Sequence, residues 1–410
     1  MRWHRRPADP TTLRTEPACE AEAALVAAAN TATTHARHRV AARLGGYALP
    51  SLDATDGEVL SILALAPSFA AALATERTFD RYVESHESTE PYLAAVPGEG
   101  TNGRVPPAPV IWPSSATAER PSILAAGLAA ELAAGRTFIV HRIDQYDRGA
   151  LRGLVEDLER IAGIPVGANC YLSRDGAEGF GRHWDDHDVI VLQVHGRKLW
   201  EVCRPTHLSP KRGYVHDELA GDPVWSGILE PGQALFIPRG WAHSVIGLDE
   251  TSVHYTVGLH RPSFLEVVDA LAWTLPDGAD LGADRQGFRA WLEEGVGDGG
   301  ARCREALAVV RGEVPTRPHV GLLDAERWLR SDAPVDELDV LWTGAPVFAA
   351  PPAATVTLRW SGMDVELDLQ EAALLTTWPP TDPGARQLGA DLLRAGLARV
   401  AGGRTDEVPA

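Results

Sequence analysis

Residues 179–202 read GFGRHWDDHDVIVLQVHGRKLWEV. Two histidines (His183, His187) and three aspartates (Asp185, Asp186, Asp188) fall within six positions, directly ahead of the apolar run Val189-Ile190-Val191-Leu192. The run reads as a core strand, so ligand-type side chains gather at its mouth. Alternate residues of an extended chain share a face. His183 and Asp185 therefore point one way and Trp184 the other. Such a pair can grip one ion from inside a barrel, with a third ligand from another strand.

Working outward, Gly167 to Gly258 breaks into strands divided by Gly/Pro turns: ANCYLS, DVIVLQVHG, KLWEVC, GQALFIP and SVHYTVGL. That spacing predicts an antiparallel sandwich or barrel. In EPGQALFIPRGWAHSV, Pro231-Gly232 makes a turn, Ala234 to Ile237 a strand, and Pro238-Arg239-Gly240 turns the chain back before His243. His243 is the candidate third ligand. Two imidazoles and one carboxylate make the facial triad of non-haem Fe(II) oxygenases, which leaves coordination positions open for a cosubstrate and O2. Zinc prefers a closed tetrahedral site richer in sulfur or histidine.

The joined pattern resembles the cupin/JmjC superfamily of Fe(II), 2-oxoglutarate oxygenases. It is carried by HxD at His183 and Asp185, then PRGWAH at 238–243. The longer string ANCYLS, GFGRHWDDHDVIVLQVHGRKLWEV, PGQALFIPRGWAHSV and HYTVG is similar to the ribosomal-oxygenase branch. It is strongest over about 165 to 260, weaker over 120 to 165 and 261 to 400, and absent over 1 to 110. The resemblance implies a mixed, mainly β fold, a double-stranded β-helix (cupin/JmjC jelly roll). It implies Fe(II) held by His183, Asp185 and His243, with 2-oxoglutarate and O2 as cosubstrates.

The chain holds only two lysines, Lys198 and Lys211, among 38 basic residues. In the family a basic residue fifteen positions after the first ligand histidine holds the distal carboxylate of 2-oxoglutarate, and here that residue is Lys198. The plain alternative is a lysine reaching solvent after Gly196, since lysine is rarely buried. By the same resemblance Asn169 and Tyr171 line the cosubstrate pocket and His254 stands beside it. Many relatives carry serine where this chain has Gly258, so a hydrogen bond to the cosubstrate is missing or supplied elsewhere.

The rest of the cluster has blander readings. His187 sits about 13 Å from His183 along an extended strand, at roughly 3.3 Å per residue, and belongs to the rim. Asp186 and Asp188 face away and meet solvent or an arginine. His195 is a surface residue, and His207, His216 and His260 are unpaired loop residues. Arg182, His187, Tyr214 and the loop 204–224 form the expected substrate rim.

Residues 20 to 80 are Ala-rich and helical in pattern, and 95 to 120 form a Pro/Gly/Ser loop. TFIVHRI (137–143) reads as a strand. A helix follows with Leu151, Leu154, Val155, Leu158 and Ile161 on one face, ended by Gly163 and Pro165. After the barrel, Ser263 and Glu266 form a capping box, and 285 to 312 is helical. TVTLRWSGMDVELDL (355–369) reads as a hairpin between further helices. These readings divide the chain into a mostly helical region (1–115), a JmjC/cupin catalytic domain (116–262), a helical dimerisation segment (263–318) and a C-terminal winged-helix-like domain (319–410).

The net charge of −18 opposes nonspecific contact with nucleic acid and anionic membranes, and favours basic partners. Residues 326 to 410 hold 7 Arg, no Lys and 13 acidic residues, which argues against a DNA-reading wing. No apolar run is long enough to span a membrane, and the basic N-terminus lacks the apolar core of a signal peptide. The four scattered cysteines read as cytoplasmic thiols. The expected function is hydroxylation of a protein or peptide side chain, with a ribosomal-protein arginine or histidine as the family's substrate type and a homodimer as its assembly. The alternatives are a hydroxylase of a small metabolite or biosynthetic peptide and, in another class, a non-catalytic metal- or effector-binding cupin. Lysine demethylation needs a methylammonium pocket that the sequence does not display.

Overall fold

The computed structural model describes residues 1–4, 13–14, 17–47, 60–73, 79, 93–96, 125–147, 149–205, 223–249, 251–260, 289, 322–342, 346–349, 355–360, 363–380, 382 and 384–401. The chain opens with β1 (Arg2–His4), β2 (Leu13–Arg14) and a long helix α1 (Glu20–Arg43). Then come β3 (Ser61–Ala64), α2 (Pro67–Leu73), β4 (Leu93–Val96), α3 (Ala125–Ala133), β5 (Thr137–Val140) and α4 (Ala150–Ala162). Seven strands follow: β6 (Val166–Ser173), β7 (Asp188–His195), β8 (Lys198–Cys203), β9 (Trp225–Leu229), β10 (Gln233–Ile237), β11 (Ala242–Gly247) and β12 (Ser252–Leu259). The tail holds α5 (Leu322–Arg330), β13 (Leu338–Val340), β14 (Val347–Ala349), β15 (Thr355–Trp360), β16 (Met363–Asp368), α6 (Leu369–Thr376), α7 (Ala385–Ala395) and β17 (Ala398–Val400).

Two compact units result. One gathers residues 1–38, 156–165 and 262–410, the other 39–155 and 166–261. The second unit holds the barrel: a seven-stranded antiparallel sheet, β3-β10-β7-β12-β6-β5-β4, and a three-stranded one, β11-β8-β9. Mixed helices and antiparallel sheets of this kind fit the cupin/JmjC fold. Alternate side chains of β7, β8 and β10 fill the space between the sheets: Val189 and Val191, Trp200 and Val202, Leu235 and Ile237, closed by Leu229 and Trp241. Lys198 lies on the same alternate positions of β8 as Trp200 and Val202, so its side chain enters this interior. Ile190 and Leu192 of β7 are fully buried on the opposite face, which explains the unbroken apolar run.

In the first unit the N-terminal strands join the tail, in the order β1-β16-β15-β14-β2. The expected hairpin forms, with Trp360 opposite Met363. Asp368 and Glu371 form a reciprocal capping box that starts α6. Trp342 and Trp360 stack with centroids 4.6 Å apart, and the Trp360 indole N–H donates to the Leu341 carbonyl at 3.0 Å.

Three expectations change. Ser61–Ala64, read as helix, is a strand that pairs antiparallel with β10. Its four residues show one buried position, Leu63, and pairing with the sheet edge outweighs the helical composition around it. The strand expected over 137–143 stops at Val140, because Arg142 adopts a left-handed φ of 56° and Ile143 begins a 3-10 turn. Strands β9 and β11 were not foreseen. The helices expected over 263–318 as a dimerisation segment, including the capping box at Ser263, fall outside the described residues except at position 289. Among those that are described, no helix is long and apolar enough to cross a membrane.

Candidate metal centre and its pocket

His183, Asp185 and His243 are brought together, with one ligand-type atom from each within 4.8 Å of the others. The first two precede β7 in irregular chain, and backbone pairing places them. His183 forms an isolated antiparallel bridge with His243, and the Gly240 N–H donates to the Asp185 carbonyl at 3.0 Å. Each histidine ring is oriented by its own backbone. His183 Nδ1 lies 2.9 Å from the Gly181 carbonyl oxygen and His243 Nδ1 lies 3.1 Å from that of Trp241. A carbonyl only accepts, so each Nδ1 carries the proton and each Nε2 keeps a lone pair for an ion. The Nε2 of His243 is 3.8 Å from the Asp185 carboxylate.

The electrostatics suit a cation. Burial, with the His183 imidazole beside it, pushes His243 down to about 4, so this ring is neutral at physiological pH. Burial alone would push the Asp185 carboxyl up. The neighbouring His243, His183 and His187 imidazoles outweigh it and hold Asp185 below its ordinary value.

Lys198, Tyr171 and His254 line the same cavity as these three residues, together with Thr137, Ser173, Phe180, Val189, Trp200, Val245 and Thr256. Lys198 is 1 % exposed, and burial pushes its ammonium down to about 7. The solvent-facing alternative for Lys198 is therefore wrong. His254 sits opposite Tyr171 in the β12–β6 register, and their rings stack 4.7 Å apart, 2° from parallel. Burial, then the neighbouring Lys198 ammonium and His243 imidazole, keep His254 well below its ordinary value. Three buried polar atoms of the lining, Thr137 Oγ1, Trp200 Nε1 and His254 Nδ1, have no hydrogen-bond partner among the described residues. A buried polar atom left unpaired costs about 1–3 kcal/mol, so the cavity is built for a polar occupant.

Other candidates fall elsewhere. Asn169 is absent from the lining, and its amide oxygen accepts the Arg142 N–H at 3.1 Å. Arg182 is half-buried and donates to Glu201 at 3.3 Å. Tyr214 lies outside the described residues, as do His207 and His216. Asp188, expected to meet solvent or an arginine, is 1 % exposed and accepts the Arg239 backbone N–H at 2.9 Å, because its residue pairs with Leu259 inside the sheet. Asp186 lies 3.0 Å from His187 Nδ1. His260, expected to be unpaired, has its ring centroid 4.3 Å from that of His187. Sequence reasoning missed Trp200 and Thr137. Trp200 shares the alternation of KLWEVC with Lys198 and could have been found. Thr137 is far away in sequence, and only strand register brings it in.

The sequence that carries this geometry is similar to known proteins. Residues 143–267 match the model of the JmjC domain. A Drosophila persimilis bifunctional lysine-specific demethylase and histidyl-hydroxylase NO66 is 38% identical over 114 residues, 27% of this chain and 17% of the relative. Human ribosomal oxygenase 1 is 36% identical over 126 residues, 28% of this chain and 20% of the relative. The matched stretch thus spans about a fifth of the length of these curated relatives. The crystal structure of the Escherichia coli ribosomal oxygenase YcfD superposes with a TM-score of 0.48 at 14% identity, over 84% of this chain and 95% of that one. Residues 143–267, which carry the His183, Asp185 and His243 cluster, are a JmjC domain similar in sequence to those of the ribosomal-oxygenase branch.

Proposed function

We propose that this chain is an Fe(II)- and 2-oxoglutarate-dependent oxygenase that hydroxylates an amino-acid side chain of a protein or peptide. The observation that carries this reading is Lys198. A buried ammonium is costly unless paired, and no carboxylate of the described residues forms an ion pair with it. It shares a cavity with two imidazoles and a carboxylate, a donor set that suits Fe(II) with positions left open. A dicarboxylate cosubstrate completes the charge balance. The positive charges of Fe(II) and Lys198 match the negative charges of Asp185 and 2-oxoglutarate.

Bound Fe(II) and 2-oxoglutarate supply, with O2, the oxidising chemistry for C–H hydroxylation. The chain's own residues bind and orient. His183, Asp185 and His243 would hold the metal. Lys198 would hold the distal carboxylate, with the Thr137 hydroxyl and the Trp200 indole N–H as further donors to ligand oxygens. Tyr171, stacked on His254, walls the pocket, and Phe180, Val189 and Val245 keep water from it. Asn169 positions β6 by accepting from the Arg142 backbone. Arg182 stands at the rim, where a substrate would approach.

A ribosomal-protein arginine or histidine is the favoured target. Ribosomal proteins are basic, and a chain of net charge −18 attracts basic polypeptides. The homodimer read from the capped apolar stripe of 263–318 completes the proposal, and light scattering tests it. For the activity, the test is succinate formation by the purified protein with Fe(II), 2-oxoglutarate and O2, followed by mass spectrometry of ribosomal proteins from cells with and without the gene. Gain of one oxygen atom, dependent on the gene, is expected. No succinate and no bound 2-oxoglutarate would leave the binding-cupin reading in its place.

A further inference from the structure

A second group of ligand-type side chains begins one residue past Asp185. Asp186, His187 and His260 bring a carboxylate oxygen and two ring nitrogens within 4.8 Å of one another. The two chain segments that carry them are pinned together, because Asp188 pairs with Leu259 in the β7–β12 register. The gathering also depends on a missing side chain. A Cβ on Gly258 would come 2.8 Å from His187 Cδ2 and 3.4 Å from His260 Nε2. With glycine there, both imidazoles settle at this edge of the sheet with centroids 4.3 Å apart. His187 Nδ1 lies 3.0 Å from Asp186 Oδ1, and the two side chains are 19% and 32% exposed, within reach of a solvated ion.

We propose that Asp186, His187 and His260 form a second divalent-cation site, distinct from the one at His183, Asp185 and His243. Structural zinc sites are closed and richer in sulfur or histidine, but two imidazoles and one carboxylate also hold Zn2+ in open sites, with water or a substrate group in the fourth position. A dication here would turn His187 from a bare rim residue into a ligand, and would place positive charge where an acidic or carbonyl group of an incoming polypeptide could bind. The site needs no atom of the first cluster, so the two can be tested apart.

The experiment is titration of the metal-stripped full-length chain with Zn2+ by calorimetry, with metal content measured after desalting. The wild type is expected to retain two equivalents. His260→Ala and Asp186→Asn should each retain one, and His243→Ala should also retain one, from the other site. The double variant His243→Ala/His260→Ala should retain none. Circular dichroism checks the fold, and His260, being exposed, is the variant least able to disturb it. A His260→Ala protein that keeps the wild-type stoichiometry overturns the second site. A His243→Ala protein that keeps it overturns His243 as a ligand of the first site and leaves the second site standing.

Discussion

His183 and His243 exchange two backbone hydrogen bonds, 3.0 Å from the His183 N–H and 2.6 Å from the His243 N–H. The two ring centroids lie 4.4 Å apart as a result. The geometry of the cluster is thus fixed by main-chain groups that any residue would supply, while the ring nitrogens are left for chemistry.

That separation makes a clean prediction for His243→Ala. The backbone pairing survives, so the fold should too. Loss of a partner that merely orients a metal ligand typically costs about 10–100-fold in metal affinity, so loss of the ligand itself should weaken Fe(II) at least as much. Calorimetry or iron content after desalting reads the loss, with circular dichroism unchanged. Normal iron binding by this variant would mean that another group is the third ligand.

Lys198→Ala should weaken 2-oxoglutarate and spare iron. Removing one partner of a buried ion pair costs about 3–5 kcal/mol, or roughly two to four decades of affinity at 1.4 kcal/mol per decade. Lys198→Arg should keep part of the affinity, since a guanidinium can hold a carboxylate bidentately. The readout is the 2-oxoglutarate concentration needed for half-maximal succinate formation. A Lys198→Ala enzyme with wild-type affinity would place another base, such as Arg182, on the cosubstrate.

The site was legible in the sequence where spacing on one strand decides it. HxD and the PRGWAH turn marked His183, Asp185 and His243, the family resemblance marked Lys198, and the structure brings all four to one cavity. What the sequence hid depends on register between distant segments. Thr137 reaches the pocket because Phe138 pairs with Leu172, and the Arg142 N–H that binds the Asn169 amide oxygen comes from a turn 27 residues away in sequence. Ser61–Ala64 misread as helix for a related reason. A four-residue edge strand carries too little alternation to outweigh its alanine- and leucine-rich surroundings.

Gly247 should tolerate no side chain. It faces Lys198 in the β11–β8 register, and a Cβ there would lie 2.4 Å from the Arg174 carbonyl oxygen, a backbone atom with little room to move. Its own N–H and carbonyl are engaged with Ala177 and Gly176, at 3.1 and 3.0 Å. Gly247→Ala should therefore displace β11 rather than a side chain, at a cost of about 1–3 kcal/mol. Thermal melting reads the cost. A raised 2-oxoglutarate requirement should accompany it, because β8 carries Lys198. An unchanged melting temperature would refute this account of the β11 contact.

Lys198 should also make the cosubstrate-free protein pH-sensitive in a defined direction. Its ammonium is pushed down to about 7 in the folded chain, from 10.5 in the unfolded one. Below pH 7 the group is charged in both states, and the full cost of burying that charge destabilises the fold. Between about 7 and 10.5 the folded protein holds the neutral amine while the unfolded chain still binds the proton. Stability from this group therefore rises with pH across that window, by up to about 1.4 kcal/mol per pH unit. Lys198→Met removes the titrating group and keeps a long apolar stem. Without 2-oxoglutarate the variant should melt above the wild type at pH 6, and the gap should narrow toward pH 10. Saturating 2-oxoglutarate with iron should stabilise the wild type at pH 6 far more than Lys198→Met, since the ligand pairs the buried charge. Parallel melting curves for the two proteins across this range would mean that the Lys198 amine is solvated, not buried.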